Sequence, residues 1–231
     1  MPSIDIGQQL EDAAEAGEEG KVSALLAEGA DPMLGNSRAL RLTAYNGHAK
    51  CVRILLTGSD PKVKDSCALR LAAYNGHAEC VRMLLPASEP KAMESEALRW
   101  AARNGHVECV RMLLPVSNAT EMGSESLRFA TRHGHIECVR LLLPASGPLC
   151  EIDGLLQEAM TAGCAKVAAL LIEREPNLLD GVDFSKHLAS ARERSHRDLA
   201  SYLSSIMDQE ELSSVAQDVA ACGGRRHPSS L

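Results

Sequence analysis

The sequence predicts an all-α solenoid of stacked helix-turn-helix units. Three observations lead there. The stretch Ala39–Leu56 recurs nearly unchanged at Ala68–Leu85, Ala97–Leu114 and Ser126–Leu143, and its glycine falls at Gly47, Gly76, Gly105 and Gly134, 29 residues apart each time. Self-similarity at such a period marks a repeat architecture. Aromatic residues make up only 3% of the 231 residues. Burial therefore rests on Leu, Ala, Val, Met and Cys, which suits thin helical layers better than a β-sandwich or barrel. Each unit is also too small to bury its own apolar face, so it must stack on its neighbours.

Within a unit the elements follow in order. Ser37, Ser66, Ser95 and Ser124 precede the first apolar run, where a hydroxyl can accept an orphan backbone N–H, so each reads as an N-cap. Leu69, Leu71, Ala72 and Ala73 are expected to form the packed part of the first helix, and Trp100 and Phe129, in the slot of Leu71, are expected in the core. Gly76 supplies the left-handed residue that ends this helix. Cys80, Val81, Leu84 and Leu85 form the buried stripe of the second helix. Pro86, Pro115 and Pro144 stop it, since proline cannot continue a helix.

Degenerate copies flank the array. Leu10–Leu26 carries Gly17 in the glycine slot; Gly163 keeps the spacing of 29, with Val167 arriving one residue early; Leu188–Leu203 has Ser195-His196 in place of Gly-His. The expectation is one repeat domain of about seven units over residues 1–206 and a tail over 207–231. In the tail, Leu212, Val215 and Val219 suggest a short helix, and the composition from Gly223 onward predicts disorder.

The run Leu71–Leu85 resembles the ankyrin repeat, Thr-Pro-Leu-His-x-Ala-Ala-x-x-Gly-His-x-Glu-Val-Val-x-Leu-Leu-Leu, and Glu28–Pro32 matches the family's closing Gly-Ala-Asp segment. Two departures stand out. The Thr-Pro-Leu-His opening is replaced by Ala-Leu-Arg (Ala68–Arg70) or Ser-Leu-Arg (Ser126–Arg128), at the residues that make the family's first-helix Thr/His hydrogen bonds. The step from Leu85 to Leu98 is 13 residues, four short of the family's connection, so the projecting hairpin is expected to be lost. The junction from Leu171 to Leu188 has the full length and could keep it.

The chemistry-bearing residues read as structure. His-x-x-Cys occurs at His48/Cys51, His77/Cys80, His106/Cys109 and His135/Cys138, but zinc needs ligands converging at about 2.0–2.3 Å, and stacked helices lie roughly 8–10 Å apart. The same separation forbids disulfides between successive copies. Cys is expected as a small buried hydrophobe in the place of the family's Val. Cys67, Cys150, Cys164 and Cys222 show no paired spacing, and reduced thiols fit a cytosolic setting. No nucleophile elbow, Walker loop, dinucleotide fingerprint or His-Glu-x-x-His is present. No metal, cofactor or catalysis is therefore expected.

Charge divides by region. The net −7 of the chain resolves into −7 over residues 1–37, +5 over 38–148 and −5 over 149–231. Two arginine ladders, Arg41/70/99/128 and Arg53/82/111/140, carry much of the positive charge. They read either as a solvated face paired to Glu79, Glu96, Glu108 or Glu137, or as an attraction for an acidic partner. A nucleic-acid role is not expected, because +5 is small and no aromatic platform accompanies it in the sequence. No run of 18 apolar residues offers a membrane span, and the N-terminus has no secretory pattern.

Resemblance to the ankyrin family implies a non-catalytic scaffold or adaptor that binds a partner protein on its concave face. The residues in the family's contact slots are Tyr45 and Asn46, Tyr74 and Asn75, Arg103 and Asn104, and Arg132 and His133; Tyr and Arg are enriched at interface hot spots. The reading is a cytoplasmic, monomeric binding module for an unidentified protein that could carry an acidic patch. A bacterial effector or enzyme inhibitor using the same surface is the alternative, which leaves secretion open, and a purely structural spacer is a third reading.

Overall fold

A computed structural model describes residues 5–119, 121–145, 152–175 and 183–208. They form helix pairs, with no strand among the described residues. The chain divides into two compact units, Met1–Glu151 and Ile152–Leu231. In the first unit the pairs are α1 (Ile6–Ala16) and α2 (Glu19–Ala27), α3 (Leu34–Asn46) and α4 (Ala49–Leu55), α5 (Val63–Asn75) and α6 (Ala78–Leu84), α7 (Ala92–Arg103) and α8 (Val107–Leu113), and α9 (Glu121–Arg132) and α10 (Ile136–Leu142). The odd-numbered helices pack in one row and the even-numbered in a second. In the second unit, α11 (Ile152–Ala162) packs on α12 (Ala165–Arg174) and on α13 (Phe184–Glu193); residues 197–208 form the last described helix, α14.

The recurring leucines make the core. Leu40, Leu69, Leu98 and Leu127 from the first helices, and Leu55, Leu84, Leu113 and Leu142 from the second, are sealed from solvent. Each contributes about 1.5–3 kcal/mol of burial. Ala72, Ala73, Ala101 and Ala102, also fully buried, let neighbouring first helices approach. Leu71 does not join them. It lies two residues, roughly 200°, around the helix from Leu69 and is only half-buried. Val167 and Ala168 fill the Cys and Val slots of α12 and Leu171 the leucine slot, so the early valine involves no shift of register.

Glycines close the first helices as expected. Gly47 and Gly76 sit at φ 79° and 77°, and the following His48 and His77 donate backbone N–H groups to Thr43 O and Ala72 O, 2.9 Å away, completing a Schellman-type stop. The prolines end the second helices as expected: α6, α8 and α10 stop before Pro86, Pro115 and Pro144 and give way to 3-10 turns at Leu85–Ala87, Leu114–Val116 and Leu143–Ala145.

The shortened connection is spanned by a left-handed turn. Gly35, Asn36 and Ser37, then Lys64, Asp65 and Ser66, then Met93, Glu94 and Ser95 all have φ between 50° and 60°. Such a turn costs roughly 1–2 kcal/mol for each non-glycine residue, so tertiary contacts must hold it. The serine at its end is one such contact, and the N-cap expectation is corrected here. The buried hydroxyls of Ser37, Ser66 and Ser95 accept N–H bonds from Asp60 (3.0 Å), Glu89 (2.8 Å) and Asn118 (3.0 Å) in the connection that follows. Side-chain caps are found instead at Asp5, whose carboxylate accepts Gly7 N–H at 3.4 Å, and at Asp183, which accepts Lys186 N–H at 3.1 Å.

Several expectations fall outside the described residues: the hairpin expected between Leu171 and Leu188, the tail helix and disordered end beyond residue 208, and Cys150 and Cys222.

Candidate functional site

Two kinds of residue meet at the ends of the first helices. The asparagines and histidines join adjacent repeats. Asn46, Asn75 and Asn104 donate Nδ2–H to Glu15 O (3.1 Å), Tyr45 O (2.8 Å) and Tyr74 O (2.7 Å) of the preceding repeat. The same carbonyls lie 2.9–3.0 Å from Nε2 of His48, His77 and His106. A carbonyl can only accept, so these rings carry their proton on Nε2. Their other edge lies over the glycine one repeat back: a Cβ at Gly76 would overlap the ring of His106 at Nδ1. Thus Gly76 is required both by its φ and by the ring above it.

The neighbouring slot behaves differently. Tyr45 and Tyr74 are 46% and 42% exposed, although most of a tyrosine is apolar. Tyr74 meets Trp100 of the next repeat edge to face, centroids 5.3 Å apart. Arg103 holds its guanidinium 5.2 Å from the centre of Trp100, one helical turn back, and 5.5 Å from Phe129 in the next repeat. Glu96, Arg99, Trp100 and Phe129 line a shallow cleft of about 110 Å³ beside it. The expectation that Trp100 and Phe129 lie in the core is therefore corrected: both are half-buried on the outward side of the first helices. Tyr45, Tyr74, Trp100 and Phe129 are four of the chain's six aromatic residues, so this row carries most of them. Next to it His133 is exposed and stacks on His135, centroids 6.2 Å apart. Partial desolvation by its neighbours, then the charges around it with Arg103 first, hold the pKa of His133 below its usual value.

The two arginine ladders have separate uses. Arg41 donates to Asn36 O and Gly35 O, and Arg70 to Asp65 O and Lys64 O, at 2.9–3.2 Å; Arg99 keeps the bond to Met93 O at 3.0 Å. Each clamps the carbonyls of the left-handed turn that begins its own repeat. Arg70 also pairs with Glu96, and Arg99 with Glu125, both in the following repeat. The second ladder is peripheral: Arg82 pairs with Glu79, Arg111 with Glu108 and Arg140 with Glu137, three residues apart on exposed surface.

Cys51, Cys80, Cys109 and Cys138 are buried at 0–1% exposure and unbridged. Burial pushes the thiols of Cys80, Cys109 and Cys138 up to about 11. They pack as small apolar groups, while the histidine of each His-x-x-Cys is engaged with a carbonyl. Among the described residues no three His, Cys, Asp or Glu side chains converge as a metal set, and no helix is long and apolar enough to cross a membrane.

A family model described as ankyrin repeats (3 copies) matches residues 10–94 and 71–153. The chain belongs to the ankyrin repeat family. No curated protein matches it. Aligned to the ankyrin motif, Arg70 stands in the histidine slot of Thr-Pro-Leu-His and Cys67 in the threonine slot. The carbonyl clamp made by Arg70 thus occupies the place where the ankyrin opening normally makes its own polar contacts. Proteins of the ankyrin family are protein-interaction modules.

Proposed function

We propose that this ankyrin protein is a non-catalytic scaffold that binds a partner protein on the face formed by α3, α5, α7 and α9. One observation carries the reading: in a chain so poor in aromatics, Tyr45, Tyr74, Trp100 and Phe129 stand in one outward row, together with Arg103 and Arg132. Large rigid side chains with polar handles are what interfaces use as anchors. The likeness to the ankyrin repeat, whose contact slots fall at the ends of these helices, supports placing this face on the concave side. Of the residues in the contact slots, Tyr45, Tyr74, Arg103, Arg132 and His133 are the proposed contacts. Asn46, Asn75 and Asn104 orient the surface through the repeat-joining bonds of their amides.

Partner capture from extract, with wild type, a Tyr45/Tyr74/Arg103/Arg132→Ala variant and an Arg53/Arg82/Arg111→Ala variant, tests this assignment. The first variant is expected to lose the partner and the second to retain it. Equal recovery by the first variant would sink the proposal.

A further inference from the structure

Arg103 differs from the clamping arginines of the first helices in its surroundings. Arg70 and Arg99 are neutralised by Glu96 and Glu125 and held by backbone carbonyls. Arg103 lies half-buried between the rings of Trp100 and Phe129, and among the described residues no carboxylate pairs with it. A guanidinium seated against ring faces and without a carboxylate partner keeps N–H groups that can fork a carboxylate. Because the rings already restrict the side chain, less freedom is lost when an anion docks. Beside it the cleft lined by Glu96, Arg99, Trp100 and Phe129, about 110 Å³, has room for several waters and so for the end of an apolar side chain.

Resting on the reading of this face as a protein-binding surface, we propose that Arg103 is its anion anchor. The ligand is an acidic peptide segment: an Asp or Glu carboxylate is forked by Arg103, and a neighbouring apolar side chain enters the Trp100–Phe129 cleft. Charge complementarity favours this occupant. The repeats from residue 38 to 148 carry a net +5. After burial, the guanidinium of Arg103 leads the neighbouring charges that disfavour protonation of His133. A single-stranded nucleic acid fits less well, since stacking bases need open ring faces and Arg103 lies over Trp100 and Phe129.

The test is to pan a random displayed peptide library on the immobilised full chain, as wild type and as R103A. Wild type is expected to enrich sequences with Asp or Glu beside Leu, Ile or Phe. The enriched peptides, made synthetically, should perturb the fluorescence of Trp100, the chain's one tryptophan. They should bind R103A about 30-fold more weakly, as expected for truncating an interface anchor, while R103K, which keeps the charge but not the fork, should not restore binding. R111A, on the second-helix face, should bind as wild type does, and unchanged circular-dichroism melts would show that R103A is folded. Enrichment of neutral or basic peptides, equal binding to R103A, no enrichment at all, or displacement of the peptide by submicromolar oligo(dT) would each overturn the inference. Partner capture that depends on Tyr45 and Tyr74 but not on Arg103 overturns the acidic anchor and leaves the protein-binding reading intact. Capture indifferent to all of these residues overturns both.

Discussion

Each Gly–His pair joins backbone conformation to inter-repeat packing. Gly76 holds a left-handed φ of 77°, and His106 lies where its Cβ would be. Gly76→Ala is expected to cost about 1–2 kcal/mol for the backbone alone and more for the displaced ring. Adding His106→Ala removes the clash but also the bond to Tyr74 O, so the two losses should not add. Urea melts of the two single variants and the double variant check this, and simple additivity would contradict the packing. The cysteines give a prediction in pH. A thiol held at about 11 keeps its proton longer in the folded chain than in the unfolded one, whose ordinary value is 9.0. The thiols' contribution is thus complete below pH 9 and is lost as pH rises toward 11. A Cys80/Cys109/Cys138→Val variant, close in volume, should show a shallower loss of stability over that window in denaturant melts. A steeper loss would contradict it.

Among the elements, the unusual piece is the left-handed turn before each first helix. Its strain is opposed by an arginine donating to its carbonyls and by the buried serine that accepts an N–H from the next connection. The ion pairs that extend from the arginines differ in worth. Arg70 and Glu96 are each about 20% exposed, whereas Arg111 and Glu108 are 58% and 67% exposed. A double-mutant cycle on Arg70 and Glu96 is expected to give a coupling near ~1 kcal/mol, and one on Arg111 and Glu108 close to zero. Equal couplings would mean that burial does not distinguish the two ladders. The spacing of Arg70 and Glu96 made an interaction conceivable in the sequence. The left-handed turn was not legible there, because non-glycine residues such as Lys64 and Glu94 carry no signal for positive φ.

Across the first unit, each interior repeat is held from both sides and α1–α2 from one. Stability in such arrays is approximately a sum of repeat and interface contributions. Amide exchange is therefore expected to be slower in α5–α8 than in α1 and α2, and the reverse order by mass spectrometry would contradict a nearest-neighbour stack. The repeat, the helix pairs, the glycine stops and the buried Leu, Ala and Cys stripes are all legible in the residue order, because they are local periodicities or follow from helical geometry. What each polar residue does is legible only in three dimensions. Asn75, Ser66 and Arg70 act on atoms one repeat away or across a turn whose conformation the sequence conceals. Packing also turns Trp100 and Phe129 outward: their hydrophobicity suggests core, but the two-residue offset between Leu69 and Leu71 puts that slot on the opposite side of the helix. Where a side chain points is set by how the row of helices packs, and that is what gathers four aromatics and Arg103 into one face.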